Sequence, residues 1–132
     1  MLPGHAYVAP EGFQMGLKVK GQIALSQDAA ENGLRPSVSF LFRSLAHVYG
    51  EKAVGVLLTG MGKDGALELK IMREQGAVTL VQDQESSVVH GMPGEAIKLG
   101  AATYVLSPEK IAAALQSLVK KEHENKSRSV VI

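Results

Sequence analysis

The sequence predicts an α/β fold in which an antiparallel hairpin precedes a mostly parallel, doubly wound sheet. Two patterns support this prediction. Residues 16–26 alternate apolar and polar side chains, whereas from residue 53 onward uninterrupted apolar runs alternate with helix-like segments. Period-two alternation is typical of a half-exposed antiparallel strand pair. Apolar runs separated by helices are typical of parallel strands covered on both faces, so we expect Rossmann-like layering.

The N-terminal part is predicted to contain a short strand, the hairpin and one helix. The short strand is "HAYVA" at residues 5–9, and the hairpin spans residues 16–26. A polar loop covers residues 27–35, and Pro36 opens the helix because proline is favoured at the first helical position. Gly50 ends this helix. The helix is indicated by apolar residues that recur at helical intervals, namely Val38, Leu41, Phe42, Leu45 and Tyr49.

The remainder of the chain is predicted to add three strands and three helices in alternation. The predicted strands are "AVGVLL" at 53–58, "AVTLVQ" at 77–82 and "ATYVLS" at 102–107. The first of these helices spans residues 65–75, and the second is a short helix within residues 86–99. The last helix has Ser107 as its N-cap and Pro108 at its first position, where these residue types are favoured.

Composition limits the classes of function. The chain has 132 residues, and we predict one domain over residues 1–121 followed by a polar tail over 122–132. A net charge of +1 gives no electrostatic reason to expect a nucleic-acid partner, and no apolar run is long enough for membrane insertion. The absence of cysteine excludes a disulfide scaffold and a thiol nucleophile, and it suits a cytoplasmic protein. The histidines lack the spacing of metal ligands, so we predict no metal site. We also predict no cofactor.

The most informative segment is the glycine loop after the first buried strand. Gly60, Gly62 and Gly65 satisfy the pattern G-x-G-x-x-G, and Asp83 follows about 20 residues later, where a ribose-binding acid is expected in dinucleotide-binding proteins. This hypothesis has a local weakness. Asp64 lies inside the pattern, and its carboxylate would stand beside a negatively charged phosphate.

Two other interpretations of the loop centre on Asp64. In the structural interpretation, the glycines allow a tight turn and Asp64 caps the helix that follows it. In the catalytic interpretation, Asp64 lies beyond the carboxyl end of a strand, where functional residues of open α/β sheets are found. A carboxylate held by backbone N–H groups keeps a low pKa and a fixed direction, as required of the acid that orients a catalytic histidine. The loop alone leaves these interpretations open.

Four segments occur together in an order that resembles one enzyme family. They are "PGHAYVAP" at 3–10, "RPSV" at 35–38, "LLTGMGKDGA" at 57–66 and "SSVVHGMPGEAI" at 86–97. In this order and spacing they resemble the catalytic domain of the chemotaxis receptor methylesterase, CheB. The resemblance extends to about residue 120. It implies hydrolysis of methylated glutamates on methyl-accepting chemotaxis receptors with release of methanol, and also deamidation of receptor glutamines.

The resemblance also implies site residues and partners. The family uses a Ser-His-Asp triad, and Asp64 matches its aspartate. Met61 matches a residue beside the active-site serine, so Gly60, Met61 and Gly62 are expected to line the oxyanion site. Family members act in two-component signal transduction in the cytoplasm. They commonly carry a phosphorylatable receiver domain, which is a possible partner in the parent protein.

The sequence departs from the family at two essential points. The family's serine lies in a Gly-Ala-Ser-Thr-Gly-Gly-type turn and its histidine in a Gln-His-Met-Pro-type segment, and neither motif is present. Ser86, Ser87 and His90 are poor replacements, since turn hydroxyls usually bind backbone groups and His90 stands where the family has a packed aromatic residue. We therefore expect the chain alone to be inactive, and whether it is itself an enzyme stays open. The alternatives are a non-catalytic methylesterase-like binding module and a dinucleotide-binding domain.

The missing motifs also affect the expected architecture. The family's first strands belong to the middle of its sheet, so the sheet here is predicted to lack them. The chain would then close the gap, leave unpaired strand edges or pair with another chain. Because exposed strand edges favour association, we expect a homo-oligomer or a rearranged sheet.

Overall fold

The structure is a computed structural model that describes the backbone of residues 1–125 and 129–131 and the side chains of residues 1–120. Its strands are β1 (Gln14–Lys18), β2 (Gln22–Ser26), β3 (Ala53–Leu57), β4 (Val78–Gln82), β5 (Tyr104–Leu106) and β6 (Ser129–Val131). Its α-helices are α1 (Val38–Tyr49), α2 (Ala66–Glu74), α3 (Met92–Lys98) and α4 (Pro108–Asn125). β1 and β2 form an antiparallel hairpin, and a parallel sheet has the strand order β5-β4-β3-β6. The predicted fold class is therefore confirmed.

Helices cover both faces of the parallel sheet. The two faces of β3 illustrate the arrangement, because its side chains alternate in direction. Ala53 and Leu57 belong to a core cluster with residues of α1, α2 and α3. Val54 and Val56 belong to a second cluster, which α4 completes with Ile111. All five residues of β3 are buried, which explains its uninterrupted apolar sequence.

Two details of the sequence prediction are wrong, and the last helix is longer than predicted. Residues 5–9 form no strand, because an alternating pattern becomes a strand only beside a partner and no described strand pairs with this segment. α1 begins at Val38 with Ser37 as its N-cap, so Pro36 precedes the helix instead of opening it. The backbone remains helical to Asn125, which is past the predicted start of the polar tail. The remaining tail positions, 126–128 and 132, lie outside the described residues.

The edge of β3 is not left unpaired. β6 pairs with it in parallel, aligning Ala53 with Ser129 and Gly55 with Val131. The C-terminal segment therefore fills the position at which an exposed edge was expected. Formation of a homo-oligomer remains a prediction. Among the helices of the described residues, none combines the length and apolar character that a membrane span requires.

The sheet brings two loops to one place. Because β3 and β4 are parallel neighbours, their carboxyl ends lie at the same edge of the sheet. The loop after β3 covers residues 58–65 and contains the glycine pattern. The loop after β4 covers residues 83–91 and leads into α3. The fold therefore places these two predicted functional segments side by side.

We predict that a variant ending at Asn125 associates with itself. Removing β6 would expose the N–H and C=O groups of β3, and an unpaired edge is a template for pairing with another chain. Sedimentation velocity over a range of concentrations should show larger species for this variant than for the parent. Equal sedimentation of both proteins at every concentration would contradict the prediction.

Candidate functional site

Asp64 lies in the loop between β3 and α2, and it is only 2% exposed. Its Oδ1 atom accepts hydrogen bonds from Ser37 Oγ at 2.7 Å, Asn32 Nδ2 at 2.9 Å and the Ser39 N–H at 3.3 Å. Its Oδ2 atom accepts a hydrogen bond from the Val38 N–H at 2.7 Å. Three of the four donors come from the start of α1. The carboxylate therefore binds the N-terminus of a helix that is distant from it in the sequence.

This arrangement corrects the structural interpretation of the loop. Asp64 was expected, in that interpretation, to cap the helix that follows it. The N-cap of α2 is instead Gly65, which has a φ of +82°, a conformation that favours glycine. The N–H of Gly65 donates to Ser39 Oγ at 2.9 Å, so α1 also supplies a partner for the start of α2. Asp64 caps α1 across space, where its negative charge is favoured by the free N–H groups and the helix dipole.

The same contacts keep Asp64 ionised. Burial acts to raise the pKa of its carboxyl, but the hydrogen bonds from Ser37, Asn32, Ser39 and Val38 outweigh burial and leave the pKa below its ordinary value. A carboxylate offers about four acceptor positions, two on each oxygen. Oδ2 accepts one of these bonds, so it retains an acceptor position for one further donor.

Gln14 supports this site from the hairpin. Its side chain is fully buried, and its Oε1 atom accepts a hydrogen bond from the Ser37 N–H at 2.9 Å. Its Nε2 atom donates to the carbonyl oxygens of Ala29 and Leu34 at 3.1 and 3.3 Å. The Gln14 amide thereby fixes the loop before α1, and it also fixes Ser37, whose hydroxyl donates to Asp64. Sequence analysis missed Gln14 because the hairpin was predicted to begin at residue 16, whereas β1 begins at Gln14.

The predicted oxyanion residues lie on a loop that is held through Gly60. The Gly60 N–H donates to the Val89 carbonyl at 3.0 Å, and the Gly60 carbonyl accepts from the N–H groups of Gly91 and Met92 at 3.1 and 3.0 Å. Met61 directly follows Gly60 and is 84% exposed, so side-chain packing does not hold it. Gly62 has a φ of +93°. The backbone of this loop is therefore positioned by hydrogen bonds to the neighbouring loop.

Gln82 and Thr59 add side-chain bonds between the same two loops. Gln82 Oε1 accepts from the Thr59 N–H at 2.7 Å, and its Nε2 atom donates to the Ser86 carbonyl at 3.0 Å. Thr59 Oγ1 donates to the Val89 carbonyl at 2.8 Å. Gln82 is buried at the end of a strand. Sequence analysis missed it because it was counted within the strand "AVTLVQ".

The structure brings none of the described histidines to Asp64. His5 Nδ1 contacts the Pro3 carbonyl at 2.9 Å, and His90 Nε2 contacts the Gln82 carbonyl at 3.2 Å. His47 is exposed on α1. The side chain of His123 lies outside the described residues. Within the described part of the chain, no three potential ligands gather closely enough to hold a metal ion.

The packing leaves little room for a dinucleotide at the glycine pattern. A Cβ atom added at Gly65 would lie 2.5 Å from Cγ1 of Val38, so α1 closely contacts the start of α2 where a pyrophosphate would bind. Asp83 Oδ1 accepts a hydrogen bond from the Ser86 N–H at 3.0 Å. The carboxylate placed for a ribose in that hypothesis therefore forms part of a local turn.

A groove of about 460 Å³ lies beside the Asp64 contact. It is bounded by the N-terminal segment, the hairpin and α1, and its lining is mainly apolar. Ser37 and Val38 line the groove and also donate to Asp64. These two residues therefore connect the groove with the carboxylate.

We predict that Asp64→Ala lowers the free energy of unfolding at pH 7 by about 3 kcal/mol, because it leaves the Ser37 hydroxyl and the first N–H groups of α1 without their acceptor. Urea unfolding measures the change. Asp28→Ala is the control, since Asp28 is exposed in the loop before α1. Similar small effects of both substitutions would contradict the structural role of Asp64.

The lowered pKa of Asp64 also predicts a pH dependence. The unfolded carboxyl has a pKa of about 3.9, so its stabilising contribution is complete above that pH and is lost as the pH falls through the lower folded pKa. Unfolding free energies measured between neutral pH and pH ~3 should converge for the parent and Asp64→Asn as the pH falls. A constant difference over this range would show that the charge of Asp64 is unimportant.

Comparison with known proteins identifies the family. The family profile "CheB methylesterase" matches residues 1–115. The chain is 60% identical over 125 residues to the protein-glutamate methylesterase/protein-glutamine glutaminase of Nitrosospira multiformis, covering 95% of the chain and 35% of that protein. It is 63% identical over 116 residues to protein-glutamate methylesterase/protein-glutamine glutaminase 1 of Syntrophus aciditrophicus, covering 88% and 33%.

A solved structure gives the same result. The chain matches the crystal structure of the Thermotoga maritima CheB methylesterase catalytic domain with a TM-score of 0.83 and 38% identity, covering 86% of this chain and 61% of that one. The chain spans about a third of the length of the curated relatives described above. On both sequence and structure, the chain belongs to the CheB methylesterase family.

Proposed function

We propose that this chain is the part of a protein-glutamate methylesterase catalytic domain that carries the triad aspartate, Asp64. One observation carries this proposal. Asp64 is a buried carboxylate at the carboxyl edge of the sheet, held by four donors and retaining an acceptor position on Oδ2. A fixed acid with one remaining acceptor is suited to bind and orient an imidazole N–H.

The proposed reaction is hydrolysis of a methylated glutamate on a chemotaxis receptor. The serine hydroxyl attacks the ester carbonyl while the histidine takes its proton, and the histidine then gives this proton to the departing methanol. Water releases the acyl group as glutamate by the same proton transfers. With a receptor glutamine, the leaving group is ammonia. Asp64 stabilises the imidazolium that forms in each step and keeps its charge throughout.

The loop of Gly60, Met61 and Gly62 is proposed to line the oxyanion site. Tetrahedral intermediates are stabilised by N–H groups that are already aligned, and a loop held through its backbone meets this requirement. The hydrogen bonds at Gly60 support such an alignment. The N–H of Met61 is the proposed donor, because Met61 directly follows Gly60, whose N–H and carbonyl are both held by hydrogen bonds.

The serine and histidine are proposed to come from sequence outside this chain. The groove supports this, because its apolar lining needs a cover and because Ser37 and Val38 belong to both the groove and the Asp64 contact. A segment bound there would contact Ser37 and Val38, which donate hydrogen bonds to Asp64. In this proposal residues 1–121 form the methylesterase-like unit, which acts in the cytoplasm on methyl-accepting receptors. A receiver domain in the parent protein would regulate access to the site.

A binding module without chemistry is the second candidate. It is favoured by the pairing of β6 with β3, which gives the chain a continuous sheet without further strands. Such a module would keep contacts with receptors and release no methanol under any condition. A methanol-release assay separates the two candidates.

We predict that the chain alone releases no methanol from methylated receptor. Release should begin when the chain is joined to the part of a related catalytic domain that carries the serine and histidine motifs. In the joined protein, Asp64→Asn should lower kcat by about 10⁴-fold, because the imidazole loses its orienting acid. Asp83→Asn is the matched control, since Asp83 lies on the adjacent loop and should leave kcat near the parent value.

Two results would contradict the proposal. The first is the absence of methanol release from the joined protein, although it is folded. The second is retention by Asp64→Asn of a kcat close to that of Asp83→Asn. Release by the unaided chain would instead contradict the proposed external origin of the serine and histidine.

A further inference from the structure

We propose that Gly91 is a positioning residue that sets the backbone of the Gly60–Gly62 loop through a close approach that only glycine permits. The inference rests on the proposed function, in which this loop supplies the oxyanion donor. It assigns a mechanical role to the segment that precedes α3. Nothing about Gly91 requires contact with the substrate.

The steric evidence is direct. A Cβ atom added at Gly91 would lie 2.8 Å from the Gly60 carbonyl oxygen and 2.9 Å from the Gly62 nitrogen. It would also lie 3.1 Å from the Gly62 carbonyl oxygen. Distances below 3.0 Å essentially never occur for real Cβ atoms, and all three neighbours are backbone atoms that cannot rotate aside. A side chain at position 91 therefore requires the backbone of one segment to move.

Backbone conformation does not explain this glycine. Gly91 has φ −79° and ψ −72°, values on the right-handed side that any residue adopts. By contrast, Gly62 and Gly65 have positive φ angles. The requirement at Gly91 is therefore for space beside the oxyanion loop and not for an unusual torsion.

Hydrogen bonds at both the N–H and the carbonyl of Gly60 hold it close to the segment that precedes α3. The Gly91 and Met92 N–H groups donate to the Gly60 carbonyl, and the Gly60 N–H donates to the Val89 carbonyl. Gly60 and His90 form an isolated parallel bridge. The segment from Val89 to Met92 thus pairs with Gly60 as a short strand would. This pairing needs the two backbones in contact, which a Cβ atom at Gly91 would prevent.

The segment that carries Gly91 is held more firmly than the Gly60–Gly62 loop. Gly91 is the N-cap of α3, and its carbonyl accepts the Glu95 N–H at 2.9 Å. Pro93 and Ala96 of that helix are buried, and Ala96 belongs to the core cluster that includes residues of α1 and α2. The Gly60–Gly62 loop has Met61 exposed to solvent and lacks such packing. A side chain at position 91 is therefore expected to displace the loop and leave α3 in place.

Displacement of this loop has a catalytic consequence. Met61 lies between the two glycines that the new Cβ atom would contact. Misalignment of an oxyanion donor weakens an interaction made mainly in the transition state, so kcat falls while substrate binding changes little. We expect a loss of about 10- to 100-fold in kcat, which is less than complete removal of a donor costs.

α3 offers a matched control. Gly94 lies three residues after Gly91, and the three atoms nearest to a Cβ atom added there all belong to the ring of His90, with 3.1 Å to Nδ1 as the closest distance. A side chain can rotate aside, unlike the backbone atoms beside Gly91. Gly94→Ala therefore adds the same methyl group to the same short segment, but its nearest neighbours are atoms of a side chain and not the backbone of the Gly60–Gly62 loop.

The test compares Gly91→Ala with Gly94→Ala in two measurements. In the chain itself, amide NMR signals and hydrogen exchange are measured at Gly60, Met61 and Gly62. In the protein joined to the serine- and histidine-bearing part, kcat and KM are measured by methanol release. Gly91→Ala should shift these amide signals, speed their exchange, and lower kcat with KM nearly unchanged. Gly94→Ala should do none of these.

The outcomes separate the proposal from the function on which it rests. Unchanged amide signals and kcat in Gly91→Ala would overturn the role of Gly91. So would equal losses in both variants, or a loss of kcat that follows the unfolded fraction in thermal denaturation. If the joined parent protein releases no methanol, the proposed function fails and the catalytic role of Gly91 fails with it. The amide measurements still decide whether Gly91 holds the loop.

Discussion

The contact between Asp64 and the start of α1 is the interaction on which the rest of the site depends. A buried charge is costly unless donors compensate it, and here a helix N-terminus and two polar side chains supply them. The contact fixes α1 against the loop between β3 and α2. It also keeps the carboxylate ionised and directed. One interaction therefore serves the stability of the fold and the proposed chemistry.

The fold was largely predictable because its signals are local. Uninterrupted apolar runs identified β3, β4 and β5, and period-two alternation identified the hairpin. The failures required knowledge of partners. The segment at residues 5–9 reads as a strand but has no strand beside it, and β6 belongs to a stretch that composition marked as polar tail. Sequence patterns report the preference of a segment, whereas pairing depends on what lies next to it.

The candidate site was only partly predictable for a related reason. Asp64 stood out because of its motif and its place after a buried strand. Asn32 and Ser37 carried no comparable signal, since loop amides and N-cap hydroxyls are common, and the sequence does not reveal that they meet a distant carboxylate. The identity of the capped helix was likewise hidden. It is decided by the packing of α1 against α2, which involves residues far apart in the chain.

The buried amide of Gln14 makes the hairpin part of the acid's environment. This one side chain links β1 to the Ser37 N–H, and Ser37 in turn touches the carboxylate. The Leu17 N–H adds a second link, to Ser44 Oγ of α1 at 3.0 Å. The hairpin is therefore connected by hydrogen bonds, through Ser37, to the proposed catalytic carboxylate. A partner that displaced the hairpin would therefore act on Asp64 through two hydrogen bonds, the one between Gln14 and Ser37 and the one between Ser37 and Asp64.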